Sequence, residues 1–417
     1  MTAPMSVAAH RVSTAHLQAA YPFVSEGGLG GRGVYIGREV LGGAFCYDPW
    51  VLYSQAVLTN PNMLVAGQVG RGKSSFIKTY LWRQQVFGRR AWVVDPKGEY
   101  GPLAAACGTT PVRIGPGLPV RLNPLDAGPA GSALSHEEVT RRRIGLLTSL
   151  AASSLGRSLQ PDEQAACETA LVAATAHAGQ DVTLPDVVEA LLRPDEDAAE
   201  RVATTPVELA TSGRQVALEL RRLCQGDLAG MFDGPTTPGL DLDGPLVVLD
   251  LSALYGSPAL GLLMLCATAW LQSSLQAGQE ERLILVIDEA WAILRHLEVA
   301  RWLQASWKLS RQYGVSNVAV IHRLSDLQAA GADGSEQVAL ARGLLADSET
   351  RVIYGQSTSE TAKARELLGL TDVESELLPE LGRGVGLWRV GSRSFLVEHA
   401  LGATYERALV NTDARME

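Results

Sequence analysis

Asn62-Met63-Leu64-Val65-Ala66-Gly67-Gln68-Val69-Gly70-Arg71-Gly72-Lys73-Ser74-Ser75 is the stretch from which the rest of the chain can be read. A short apolar run ends at a glycine, a glycine-rich turn follows, and Gly72-Lys73-Ser74 opens a segment of helical character. The pattern G-x-x-x-x-G-K-S, in the order strand, turn, helix, is a phosphate-binding loop. Its glycines let backbone N–H groups converge on phosphates without side-chain obstruction, and the helix N-terminus adds a field that favours negative charge. Gly67, Gln68, Val69, Gly70, Arg71, Gly72, Lys73, Ser74 and Ser75 therefore form the expected nucleotide cradle. Lys73 would reach the β- and γ-phosphates, and the Ser74 hydroxyl would ligate Mg²⁺.

The next apolar run, Arg90-Ala91-Trp92-Val93-Val94-Asp95, reads as a buried strand stopped by Pro96 and Gly98. Strand, helix and strand in succession imply a parallel sheet with right-handed crossovers, whose ligands sit at the carboxyl ends of the strands. Asp95, Lys97 and Glu99 are thereby expected near the nucleotide, with Asp95 and Glu99 as contact residues. Short strands are expected at Val112–Ile114 and Val120–Leu122. From about Ser135 to Gly230 the texture is helical, rich in Ala, Leu, Arg and Glu, with helix starts at Gln160-Pro161, Leu184-Pro185 and Arg193-Pro194. Strand character returns at Pro245–Leu251, Leu283–Ile287, Val315–His322 and Thr350–Gly355, and the strands Gly384–Val390 and Ser394–His399 close the chain.

These boundaries give an α/β protein with a mainly parallel sheet and an all-α insertion. Residues 1–60 are an extended or β segment packing on the core, 61–130 and 240–417 are the core, and 131–239 are the helical subdomain. At 417 residues, 46% hydrophobic and 19% charged, the composition is that of an ordinary soluble globular chain. A net charge of −9 argues against a chain coated in basic residues for general DNA binding, while a ring of subunits could still concentrate a few arginines. Five scattered cysteines with no C-x-x-C pair suit a reducing cytoplasm and supply no metal site. The most apolar run, Ala259 to Leu271, falls short of the ~20 residues that span a bilayer. A cytoplasmic protein without a transmembrane segment is expected, with docking at the inner face of a membrane left open.

Leu283–Ile287 delivers two carboxylates at its end, Asp288 and Glu289. Beside a phosphate loop, Asp288 is placed to hold Mg²⁺ or its water shell together with Ser74, and Glu289 to orient and polarise the attacking water. His322 ends the neighbouring strand, where a polar group can sense the γ-phosphate. Arg311 and Arg351, at the edges of core elements, are candidates to neutralise the developing charge in a neighbour's site.

Several separated segments resemble the motor domain of the conjugative-transfer and type IV secretion ATPases, within the wider FtsK/HerA class of hexameric translocases. They are Gly67–Ser74, Asp95-Pro96-Lys97-Gly98-Glu99-Tyr100, Leu122-Asn123-Pro124-Leu125, Phe232-Asp233-Gly234, Asp288-Glu289-Ala290-Trp291 and Arg311-Gln312-Tyr313-Gly314. The resemblance implies a RecA-like core, a homohexameric ring, ATP and Mg²⁺ bound between neighbours, and DNA or a secreted substrate passing through the ring. An inner-membrane transfer complex is the implied docking partner. It also favours Arg311 as the residue acting in trans. Two departures stand out: His322 occupies a position where the family usually carries Gln, and the stretch ahead of the phosphate loop is short for a secretion ATPase. The competing reading is an ATP-binding assembly or scaffold factor without processive translocation. A small-molecule kinase fits less well, because the segment between the loop and Asp288 is a helical insertion rather than a lid.

Overall fold

Strands buried on both faces form the middle of the structure, as uninterrupted apolar runs require in a parallel sheet. The computed structural model describes residues 28–40, 43–126, 135–226, 228–240, 242, 244–257, 260–275, 282–291, 297–308, 310–311, 314–322, 336–402 and 404–410. The strands are β1 (Val34–Glu39), β2 (Ala44–Tyr47), β3 (Met63–Ala66), β4 (Arg90–Asp95), β5 (Val112–Arg113), β6 (Leu246–Asp250), β7 (Leu283–Ile287), β8 (Val315–Ile321), β9 (Thr350–Tyr354), β10 (Val385–Val390) and β11 (Arg393–His399). They make one eleven-stranded sheet in the order β2-β1-β11-β10-β9-β3-β8-β7-β4-β6-β5. From β9 to β5 every pairing is parallel, and from β9 outward through β10, β11, β1 and β2 every pairing is antiparallel.

The helices, in order, are α1 (Pro49–Ser54), α2 (Lys73–Gln84), α3 (Gly101–Ala106), α4 (His136–Leu155), α5 (Pro161–Ala178), α6 (Leu184–Leu192), α7 (Glu196–Arg201), α8 (Pro206–Gln225), α9 (Leu260–Leu275), α10 (Leu297–Lys308), α11 (Glu336–Ala346), α12 (Thr358–Leu368), α13 (Asp372–Leu377) and α14 (Thr404–Val410). Alternate residues of the central strands enter two different cores, as the period of two dictates. Leu64, Trp92, Val94, Leu283, Leu285 and Ile287 face one. Met63, Val65, Ala91, Val93, Ile284 and Val286 face the other, which α2, α3 and the antiparallel strands cover.

Helices α4 to α8 fall in sequence between β5 and β6, and local signals bound them. Ser135 and Glu138 form a reciprocal cap on α4, and Thr205 and Glu208 on α8. Proline stands in the first turn of α5, α6 and α8, where its missing N–H costs nothing. Leu146, Leu171, Val187 and Leu220 from these helices belong to the same apolar cluster as the first sheet face. Polar ties accompany the packing: Asn123 Nδ2 donates to the Val182 carbonyl at 2.8 Å, and Arg143 Nε to the Leu125 carbonyl at 2.7 Å.

The extended character ahead of the phosphate loop takes the form of β1 and β2, with Gly37 of β1 opposite His399 of β11. Phe45 anchors this edge, its ring 5.1 Å from Trp388 and 5.2 Å from Phe395. Val120–Leu122 differs from expectation, since it is not a strand. Its backbone groups are taken by a loop instead: Leu122 N donates to Met231 O at 2.8 Å, and Arg121 O accepts from Thr237 N at 2.9 Å. Among the described residues no helix is long and apolar enough to cross a membrane.

Candidate active site

The phosphate loop leaves the end of β3 and is pinned on one side by the ends of β9 and β10. Gln68 N donates to Gly355 O at 3.1 Å, Arg71 O accepts from Gly384 N at 3.0 Å, and Arg71 Nη1 donates to Leu381 O at 3.2 Å. Gly72 sits at φ +109°, a left-handed conformation that admits glycine and lets Lys73 open α2 directly. Lys73 is 4% exposed, and its ammonium lies inside the loop, donating to the carbonyls of Gly67 and, at 2.9 Å, Gln68. Burial pulls its pKa down to about 8, against the opposing pull of Asp288 and Glu289. Ser74 and Ser75 are half-buried in the first turn of α2.

Asp288 and Glu289 follow β7 between the ends of β4 and β8. Asp288 N donates to Val94 O at 3.2 Å and Ala290 N to Val320 O at 3.0 Å, so the backbone is held from both sides. Glu289, between them, is forced to φ +53°. A non-glycine residue in that region carries about 1–3 kcal/mol of strain, a cost found where a fold over-determines a functional side chain. Asp288 is fully buried and receives Glu289 N at 2.9 Å and the Tyr100 hydroxyl at 3.4 Å. Burial raises its pKa to about 7, with Glu289 and Asp95 adding to the rise.

Three donors hold Glu289, which is 1% exposed. Lys97 Nζ and His322 Nε2 both meet Oε1, the histidine at 2.5 Å, and Trp291 Nε1 donates to Oε2. Burial alone would raise the Glu289 pKa; the bonds from His322 and Lys97 outweigh it and bring the value to about 2. Lys97 Nζ also lies 3.0 Å from His322 Nε2. His322 Nδ1 is buried and without a hydrogen-bond partner among the described residues.

The other expected residues fall into two groups. Glu99 is half-buried, and its charge acts on both Lys73 and the buried Lys78. Asp95 sits at the right strand end, but its carboxylate is spent on the turn that follows. Oδ1 accepts from Lys97 N at 3.1 Å and Gly98 N at 2.9 Å, and Oδ2 from Tyr100 N at 2.9 Å. It shapes the site rather than meeting a nucleotide. Arg351, expected to act in a neighbour's site, has its guanidinium engaged inside its own chain. Its guanidinium donates to the carbonyls of Ser348 at 3.1 Å, Leu368 at 3.0 Å and Leu345 at 2.9 Å, satisfying helix-end carbonyls of α11 and α12 inside its own chain. Arg311 is exposed and precedes β8, at the amino ends of the strands, whereas the loop leaves the carboxyl end of β3. Lys97, expected near the nucleotide, contacts the carboxylate pair, as do Tyr100 and Trp291, which are not among the site residues expected from sequence. Each lies inside one of the motifs quoted above, which is the signal that could have found them.

The donor set suits a divalent ion of the Mg²⁺ type: one hydroxyl, Ser74, and one buried carboxylate, Asp288, whose raised pKa reports a negative charge short of compensation. Among the described residues no group of three or more His, Cys, Asp or Glu could hold a metal alone. Mg²⁺ commonly takes one or two protein ligands and completes its shell with phosphates and water.

No protein-family model and no curated protein matches the sequence. Solved structures do. VirB4 of Thermoanaerobacter pseudethanolicus superposes with a TM-score of 0.74 at 23% identity, covering 92% of this chain and 100% of that one. The fold is shared with VirB4. The bacterial conjugative coupling protein TrwB follows, with a TM-score of 0.57 at 15% identity in a form with sulphate, covering 82% of this chain and 86% of that one. TrwB in complex with ADP and Mg²⁺ gives 0.55 at 15% identity over the same shares. At these identities the likeness to VirB4 and TrwB establishes the architecture: the mainly parallel RecA-like core expected from the sequence.

Proposed function

We propose that the chain is a P-loop ATPase that drives conjugative DNA transfer or type IV secretion, working as a homohexameric ring with ATP and Mg²⁺ between neighbouring subunits. The observation that carries this reading is the buried pair Asp288–Glu289 at the strand ends beside Lys73, set in the fold of VirB4 and TrwB. The loop amides and Lys73 bind the phosphates; Ser74 and Asp288 hold the metal. Mg²⁺, when bound, neutralises charge on the β- and γ-phosphate oxygens. Glu289 orients the water and accepts its proton as the water oxygen bonds to the γ-phosphorus and the bond to the ADP oxygen breaks.

The position of Arg311 supports an interfacial site. β8 is seven residues long, so at a strand rise of about 3.3 Å per residue Arg311 stands on the order of 20 Å from its own chain's His322. That distance from its own site supports the reading in which it acts in a neighbour's. The exposed loop tip, Val69 at 77%, leaves the cradle open to that neighbour.

A scaffold that binds ATP without turnover is the second reading, and an intact, pre-positioned Glu289 speaks against it. ATP hydrolysis measured with and without DNA, together with sizing of the assembly in a non-hydrolysable ATP analogue, separates the two. Stimulated hydrolysis by a hexamer that retains DNA is expected. A protein that binds ATP but neither hydrolyses it nor retains DNA would overturn the motor reading.

A further inference from the structure

Lys97 has no place in the reaction as described, yet its ammonium touches the group that has to act. The ends of three adjacent strands each contribute one member of a cluster: Lys97 after β4, Glu289 after β7 and His322 after β8. Glu289 has about four lone-pair positions as an ionised carboxylate, and Lys97, His322 and Trp291 already occupy three. A base so engaged is poorly placed to take a proton from water until a donor leaves.

Lys97 is the donor free to leave. Its backbone is fixed, because Asp95 binds the amides of Lys97, Gly98 and Tyr100. Its side chain is the most exposed of the three cluster members, at 23% against 0% for Glu289 and 22% for His322. A lysine ammonium is a point charge on a flexible four-carbon stem that can redirect without moving the main chain. The neighbouring Tyr255 ring, 5.9 Å away, adds a cation–π attraction. The charge of Lys97 is also felt at Lys73. Lys97 follows the carboxyl end of β4, on the side of the sheet where the phosphate loop leaves β3, so a bound phosphate is the anion that competes for it.

We infer that Lys97 is a second phosphate-binding cation of this site, which exchanges Glu289 for the terminal phosphate of a bound nucleoside triphosphate and so frees the base only when that phosphate is present. The inference rests on the ATPase reading above and deepens it. A diphosphate, lacking the terminal group, leaves Lys97 on Glu289; a triphosphate draws it off. The two nucleotides are thereby distinguished at the carboxylate that acts on water.

Equilibrium binding of ADP and of a non-hydrolysable ATP analogue, each with Mg²⁺, tests this on the full chain and on the Lys97→Met, Lys97→Gln and Lys97→Arg variants. A charge-assisted bond to phosphate is the quantity removed. Lys97→Met and Lys97→Gln are therefore expected to weaken the triphosphate analogue about tenfold or more while leaving ADP affinity near wild type. Lys97→Arg, which keeps the cation, is expected to restore most of the difference. Equal loss for both nucleotides in the two neutral variants, or no loss for either, overturns the inference. Should Lys97→Met fail to fold, the polar Lys97→Gln removes the same charge and decides the question alone. A wild-type protein that binds neither nucleotide sinks the ATPase reading itself, a result distinct from any pattern among the variants.

Discussion

Tyr354 stands so close to Gly67 that a Cβ placed on Gly67 would fall 2.6 Å from the Tyr354 Cβ. Tyr354 ends β9 and is fully buried, so it has nowhere to retreat. The first glycine of the loop is therefore dictated by the neighbouring strand as well as by the phosphates. Gly67→Ala is expected to push the loop off β9, breaking the bond from Gln68 N to Gly355 O. Overpacking of this kind costs on the order of 1–3 kcal/mol. Thermal unfolding should show a lower midpoint, and equilibrium titration a loss of nucleotide affinity of at least about tenfold, about 1.4 kcal/mol being a factor of ten. Wild-type affinity in Gly67→Ala would show that the loop does not depend on this contact.

Glu289→Gln separates binding from turnover. The amide keeps the size of the side chain and an oxygen to accept from Lys97 or His322, but cannot take a proton from water. Loss of a general base costs about 10²–10⁴-fold in rate, and kcat should fall by that order while nucleotide affinity stays close to wild type. Steady-state hydrolysis and equilibrium binding on one preparation decide it; unaltered hydrolysis removes Glu289 from the role.

Much of this site was legible in the sequence because its parts are local. Gly67–Ser74 and Asp288-Glu289 have fixed offsets from apolar runs, and those runs are buried strands in the structure. What could not be read is what strand order creates. Lys97 and His322 are 225 positions apart and meet because β4, β7 and β8 are neighbours in the sheet. Arg351 reads as an arginine at a core edge; that it satisfies helix-end carbonyls depends on α11 and α12 ending beside β9. The pairing of β1 with β11 joins opposite ends of the chain and leaves no mark in either strand.

The two arginines expected to act in trans should now behave differently. Arg311 is exposed, so Arg311→Ala should leave thermal stability unchanged. As the trans-acting cation it should cost about 10³-fold or more in kcat. Mixing Arg311→Ala subunits with Lys73→Ala subunits should restore part of the activity, because each supplies what the other lacks. Arg351→Met should show the reverse. It strips donors from the Leu345 and Ser348 carbonyls, while Arg389 Nη1 still serves Leu368 at 2.7 Å. Lost bonds of this sort cost about 1–3 kcal/mol, so the melting midpoint should drop while turnover per folded molecule persists. A stable but inactive Arg351→Met protein would return that residue to the catalytic set.

His399 sets a pH limit on the fold. It ends β11 against the helix that carries Lys73, and its Nε2 lies 2.7 Å from Thr79 Oγ1. The Thr79 hydroxyl also lies 2.9 Å from the Ser75 carbonyl and 3.0 Å from that of Phe76, so it ties His399 to the backbone of that helix. Burial lowers its pKa from 6.5 to about 4; the Arg83 cation adds to the fall, and Glu406 opposes it. A depressed folded-state value means the unfolded chain binds the proton first. Above pH 6.5 neither state is protonated and the full stability is present; as pH falls from 6.5 towards 4 it is progressively lost. At about 1.4 kcal/mol per pKa unit the loss approaches roughly 3 kcal/mol. His399→Gln keeps an N–H for Thr79 and removes the titration. Denaturant unfolding followed between pH 7 and 4 should therefore show a decline in the wild type that is shallower in His399→Gln by about that amount. Parallel curves for the two proteins would place the acid sensitivity elsewhere, and would remove the claim that a neutral histidine braces the phosphate-loop helix.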